Sequence, residues 1–115
     1  MNIEIWHNPR CSKSRETLKL LEAQKITPQV YLYLEEKPDA KMVGDILQKL
    51  DLSARELLRK SEDAYKEMNL KDKNLNDEEL IKAMVSEPKL IQRPIVIKGN
   101  KARLGRPPEQ VLEIL

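Results

Sequence analysis

The stretch WHNPRCSKSR, residues 6–15, carries the chain's single cysteine, single histidine and single tryptophan. From His7 to Arg15 it holds three formal cations, Arg10, Lys13 and Arg15, and no acid. The whole chain is close to balance, with 21 Lys and Arg against 19 Asp and Glu. Cations beside a thiol favour the thiolate, which is the nucleophilic form of sulfur. The same charges attract an oxyanion. A lone intracellular cysteine is commonly a small buried hydrophobe. Here Pro9, Ser12 and Ser14 make the surroundings polar, and three cations would be costly to bury beside an inert thiol. The pattern therefore points to Cys11 as a reactive, anion-binding nucleophile. His7 has two readings, a partner of the thiolate or a structural hydrogen-bonding residue, because an imidazole pKa near ~6.5 permits either state.

Other chemistries fit poorly. One cysteine and one histidine do not make the four ligands of a structural zinc site. No Gly-rich approach ends in Lys-Ser or Lys-Thr, as a Walker phosphate loop requires. A formal charge of +2, with no long basic block, gives no footprint for nucleic acid. No apolar run approaches the ~20 residues that span a bilayer, and no basic-then-apolar leader is evident. A single cysteine forms no internal disulfide framework and suits a reducing compartment. The expectation is a soluble, cytoplasmic, monomeric protein. Its 115 residues fit one domain.

The elements that would position Cys11 follow from periodicity. Residues 2–6 alternate, with Ile3 and Ile5 on one side, and read as a strand that Pro9 ends. A helix starts near Ser12 and runs to about Gln24, with Leu18, Leu20 and Leu21 as its apolar face. QVYLYLEE alternates again through Val30, Leu32 and Leu34, so strand–helix–strand favours a parallel pair. Residues 39–50 place Met42, Val43, Ile46, Leu47 and Leu50 at helical spacing. Ser53 with Glu56 and Asn76 with Glu79 read as capping boxes. A short helix and a loop lie between them, and Pro88 closes a helical insert over 39–86. RPIVIK then forms a strand, Gly99 and Asn100 a two-residue hairpin turn, and Lys101–Leu104 its antiparallel partner. Pro107 and Pro108 fit the first turn of a last helix reaching Leu115. The order β-α-β, helical insert, β-β-α is that of an α/β, thioredoxin-like fold with a four-stranded mixed sheet. Cys11 would sit where the first strand gives way to the first helix, among unpaired N–H groups and partial positive charge.

HNPRCSKSR, taken with RPIVI and LGRPPEQVLEIL, resembles the glutaredoxin-coupled arsenate reductase family over almost the whole chain. The resemblance implies that Cys11 is catalytic, within the run His7, Asn8, Pro9, Arg10, Cys11. It implies that Arg59, Arg93 and Arg106 bind the oxyanion, and that Arg93–Pro94 is a cis peptide near the cysteine. Read by itself, Arg59 would be a solvated residue on an amphipathic helix. Arg93 has independent support, since a residue before proline is held extended. Three guanidiniums make physical sense, because each offers forked donors to an oxyanion. His7, Asn8, Ser14, Arg15 and Pro94 would support the site, Ser14 by donating a hydrogen bond to the thiolate.

The implied reaction is nucleophilic. Cys11 attacks arsenic, an adduct forms, and glutathione and glutaredoxin complete reduction to arsenite, with glutathione as co-substrate and no bound cofactor or metal. Two rival readings stand beside it. Cys11-Ser12-Lys13-Ser14 also fits the Cys-x-x-Ser of monothiol glutaredoxins. Spx-type regulators that bind RNA polymerase share the broad fold, although their Cys-x-x-Cys switch has no counterpart where position 14 is serine.

Overall fold

The computed structural model describes residues 2–115. They form two compact units, one comprising the chain up to Glu36 together with Arg93–Leu115, the other Lys37–Gln92.

The first unit is built on a four-stranded mixed sheet. Strand β1 (Ile3–Trp6) pairs in parallel with β2 (Gln29–Tyr31) and antiparallel with β3 (Ile95–Lys98), and β3 pairs antiparallel with β4 (Lys101–Leu104). The resulting order, β2-β1-β3-β4, is the thioredoxin-like arrangement expected from the sequence. Helix α1 (Ser12–Ala23) connects β1 to β2. Ile5, Leu21, Val96, Val111 and Ile114 form a core cluster, with Ile3, Leu18, Leu20, Ile26 and Leu115 packed against it. Each such aliphatic side chain, fully buried, contributes about 1.5–3 kcal/mol. The opposite side of β1 presents Trp6, whose ring stacks with that of Tyr33 at a centroid distance of 6.2 Å.

Two expectations in this unit need correction. The strand read into QVYLYLEE ends at Tyr31, and Tyr33–Glu36 turns into a short helix, α2. The Glu36 carboxylate accepts from the Leu32 N–H and Leu32 C=O accepts from the N–H groups of Glu35 and Glu36, so local capping overrides the alternation. Tyr33 is buried, whereas Val30 on β2, an edge strand, is 43% exposed rather than inward. The terminal helix is also of a different kind: Pro108–Ile114 is a 3-10 helix. Proline does stand at its start, and Val111 and Ile114 point into the core three residues apart, the 3-10 repeat.

The second unit is helical. In α3 (Ala40–Leu50) Val43, Ile46, Leu47 and Leu50 are buried, and Asp39 caps the helix by accepting from the Met42 N–H. Both capping boxes are present, Ser53–Glu56 starting α4 (Ala54–Leu57) and Asn76–Glu79 starting α6 (Asp77–Ser86). Between them lies the short α5 (Asp63–Glu67). Helices α3 and α4 both pack on α6, whose buried residues are Leu80, Ala83 and Met84. The Arg55 guanidinium fastens the connecting loop by donating to the carbonyls of Leu70 and Asp72 at 2.8 and 2.9 Å. A 3-10 turn at Pro88–Leu90 follows α6, and Leu58 and Ile91 then form an isolated antiparallel bridge. Among the described residues, no helix is long and apolar enough to cross a membrane.

Candidate active site

Cys11 is the N-cap of α1, in extended conformation with φ −95° and ψ 124°. The loop that delivers it is tied to itself. The Asn8 C=O accepts from the Cys11 N–H, and the Asn8 side-chain oxygen accepts from the Arg10 N–H, both at 3.0 Å. Arg15, one turn into α1, donates from Nη1 to the Pro9 C=O at 2.9 Å. Beneath the loop, Ser14 is fully buried. Its Oγ accepts from the Asn8 N–H at 3.0 Å and lies 2.6 Å from His7 Nδ1.

These bonds assign local tasks to the residues singled out in the sequence. His7 is buried, and burial together with the nearby Arg15 charge lowers its pKa, so it is held neutral as a hydrogen-bond partner of Ser14. Ser14 reaches the sulfur through its backbone N–H, while its hydroxyl serves Asn8 and His7. Asn8 and Arg15 brace the loop.

The Cys11 pKa is lowered. Burial of the sulfur opposes ionisation, and the backbone N–H groups of Ser14 and Lys13 together with a hydrogen bond and charge from Arg93 outweigh it. The helix terminus thus acts as expected, but the full positive charge comes from a different place. Lys13 pairs with Glu16 at 3.8 Å in solvent, Arg15 is held on the Pro9 C=O with its charge acting on His7, and Arg93 arrives from the start of the β3 segment. Arg106 joins it: Nη2 stands 4.0 Å from Cys11 Sγ while Nε donates to the Arg93 C=O at 2.8 Å.

Arg93 and Arg106 are positioned by backbone that sequence periodicity does not display. The peptides Arg93–Pro94 and Arg106–Pro107 are both cis, the first as the resemblance implied. Between the two segments the Gly105 N–H donates to the Pro94 C=O at 2.9 Å. A Cβ at Gly105 would collide with Thr17 Oγ1 and come within 2.7 Å of Pro94 Cγ. Glycine is therefore required by close approach. Thr17 and Gly105 were missed as supporting residues. The spacing Ser14, Thr17, Leu21 was the available signal, since it places two small polar side chains on the inward face of α1.

Arg59 lies in the second unit, and not on a helix: α4 ends at Leu57, and Arg59 follows the Leu58–Ile91 bridge. Its N–H donates to the Leu90 C=O at 2.7 Å, and its Nε lies 3.4 Å from the Glu62 carboxylate. The side chain is 19% exposed, so the solvated-helix-face reading of Arg59 does not hold.

Within the first unit, then, a polarised sulfur stands at a helix N-terminus with two guanidiniums at hand. Such an arrangement can bind an oxyanion and attack its central atom. Among the described residues no three His, Cys, Asp or Glu side chains gather as metal ligands.

Comparison with known proteins agrees with this geometry. The ArsC family model matches residues 6–114. The chain is 59% identical to the uncharacterized protein YfgD of Escherichia coli K12, covering 98% of this chain and 96% of that one. It is 47% identical to an arsenate reductase of Haemophilus influenzae, covering all of both chains. The solved structure of an arsenate reductase from Vibrio cholerae superposes with a TM-score of 0.98 at 54% identity, over 100% of this chain and 98% of that chain.

Proposed function

Because this chain belongs to the ArsC family, we propose that it reduces arsenate to arsenite, with Cys11 as nucleophile and glutathione and glutaredoxin as the source of electrons. The observation that carries this reading is the Cys11 sulfur at the N-terminus of α1 with Arg106 Nη2 4.0 Å away, an arrangement in which Arg93 also favours the thiolate. Arsenate is a tetrahedral oxyanion, and guanidiniums are suited to its oxygens through paired N–H donors. Arg59 completes the set of oxyanion donors in this reading.

The Cys11 thiolate attacks arsenic and one oxygen leaves as water, forming a cysteine–arsenic adduct. Glutathione attacks the adduct and displaces a second oxygen, again as water. A glutaredoxin thiolate then attacks the glutathione sulfur, and the electron pair of the sulfur–arsenic bond passes to arsenic, which goes from As(V) to As(III). Two thiols end as one mixed disulfide, and water releases arsenite from Cys11. The arginines stabilise oxygen charge as the first bond forms. No metal or flavin is needed to balance these steps, and the natural setting is a reducing cytoplasm in which a monomer meets its glutaredoxin.

The test is a coupled assay with arsenate, glutathione, glutaredoxin and an NADPH-linked reductase. Arsenate-dependent NADPH consumption is expected, and Cys11→Ser should abolish it. Consumption equal to an enzyme-free control would refute the reading.

A further inference from the structure

Beside the Cys11 loop, on the side of α2, lies a cleft of about 280 Å³ that the steps above leave unused. His7, Asn8, Pro9 and Arg10 of the Cys11 loop line it together with Leu32, Leu34 and Glu35. Leu32 and Leu34 are half-buried, while Arg10 and Glu35 are exposed. Neither of these two charges is engaged in an ion pair among the described residues. The cleft therefore offers one free cation, one free anion and an apolar surface. Cys11 does not itself line the cleft; the cleft meets the loop of the nucleophile at Arg10, the residue before Cys11 in the chain.

A single oxyanion has no use for Glu35, which would repel it. A neutral thiol has no use for either charge. A ligand bearing an ammonium and a carboxylate on one carbon matches both, and the γ-glutamyl end of glutathione is such a group. We propose that this cleft is the subsite for the glutathione that resolves Cys11, with Arg10 taking the γ-glutamyl carboxylate, Glu35 its ammonium, and Leu32 and Leu34 the intervening methylenes. The volume, slightly below the roughly 300–1,000 Å³ of most small-molecule sites, suits part of the tripeptide rather than all of it. This inference rests on glutathione being the reductant, as proposed above, but its test does not require arsenate.

Cys11 is the only cysteine, so its exchange with a disulfide is read without interference. The thiolate attacks one sulfur of oxidised glutathione, a Cys11–glutathione disulfide forms, and one glutathione thiolate leaves, with no net oxidation. The rate of this step is compared with that for 2-hydroxyethyl disulfide, which is uncharged. Taking the ratio of the two rates cancels any change in the reactivity of Cys11 itself.

The subsite makes a prediction opposite in sign to general electrostatics. Oxidised glutathione is a net anion, so removing the negative charge of Glu35 should speed its approach if only long-range attraction matters. If Glu35 holds the ammonium, Glu35→Gln should lower the ratio instead, by about fivefold, the upper range for an exposed charge pair. Arg10→Gln should lower it similarly, and the rate with 2-hydroxyethyl disulfide should stay within about twofold in Glu35→Gln. An unchanged or raised ratio in Glu35→Gln overturns the subsite, including the case in which only Arg10→Gln lowers it. A lowered ratio together with no arsenate turnover would uphold the subsite and count against the arsenate reading alone.

Discussion

Arg106 Nη2 stands 4.0 Å from Cys11 Sγ although 95 positions separate the two residues in the chain. The same guanidinium donates from Nε to the Arg93 C=O at 2.8 Å, so one side chain binds the second arginine's backbone and faces the sulfur. A planar fork can do both at once, whereas an ammonium is a point charge.

Replacing Arg106 or Arg93 with alanine should therefore lower kcat/KM for arsenate by about 10²–10³, which corresponds to the ~2–4 kcal/mol of a lost oxyanion donor. Lysine should restore only part of it. The same loss is expected for Arg59→Ala. Steady-state kinetics on variants shown to be folded decide the matter, and near-normal efficiency in all three alanine variants would reject the arginine set.

The lowered Cys11 pKa has a kinetic and a thermodynamic signature. The pH midpoint of alkylation should lie below that of a free thiol, and Arg93→Ala should raise it, because Arg93 supplies both a hydrogen bond and the charge acting on the sulfur. A thiol more acidic in the folded state than in the unfolded chain stabilises the fold above its folded pKa. Stability should thus rise with pH between the folded and unfolded thiol pKa values, and Cys11→Ser should remove that slope. Alkylation rates and denaturant midpoints across pH measure the two effects separately.

Gly105→Ala tests the support beneath the site. The added Cβ meets Thr17 Oγ1 and Pro94 Cγ, both in a packed region where Thr17 is fully buried. Overpacking of this kind costs about 1–3 kcal/mol. Thermal denaturation should show the loss, and kcat/KM should fall as well because Arg106 follows immediately in the chain.

Much of this architecture was legible because local signals agreed with the global fold. The alternation of Ile3 and Ile5, both capping boxes and the Gly99–Asn100 turn all carry short-range physics, and all appear at their expected places. Failures arose where a competing local bond or distant packing decided. Glu36 capping Leu32 ended β2 early, and period-three packing of Val111 and Ile114 went with a 3-10 helix where an α-helix had been expected. At the site, Cys11 and its helix terminus were evident from residue types. The source of positive charge was not, since Lys13 and Arg15 look equivalent to Arg93 until their partners Glu16 and the Pro9 carbonyl are known. Ser14 was legible as a supporting residue, but its hydroxyl serves Asn8 and His7 and its backbone N–H the sulfur, and buried Thr17 went unnoticed beside it.

With Cys11 the only cysteine, the chain has no second thiol to resolve an adduct by an internal disulfide. Turnover must then draw on an external thiol, and the most direct measurement is arsenite formed over many turnovers by the purified protein in two reductant systems. With glutathione and glutaredoxin, arsenite should accumulate well beyond one equivalent per protein. With thioredoxin and its reductase but no glutathione, it should not. Sustained arsenite production in the second system would contradict the proposed route of electrons through glutathione to Cys11-bound arsenic.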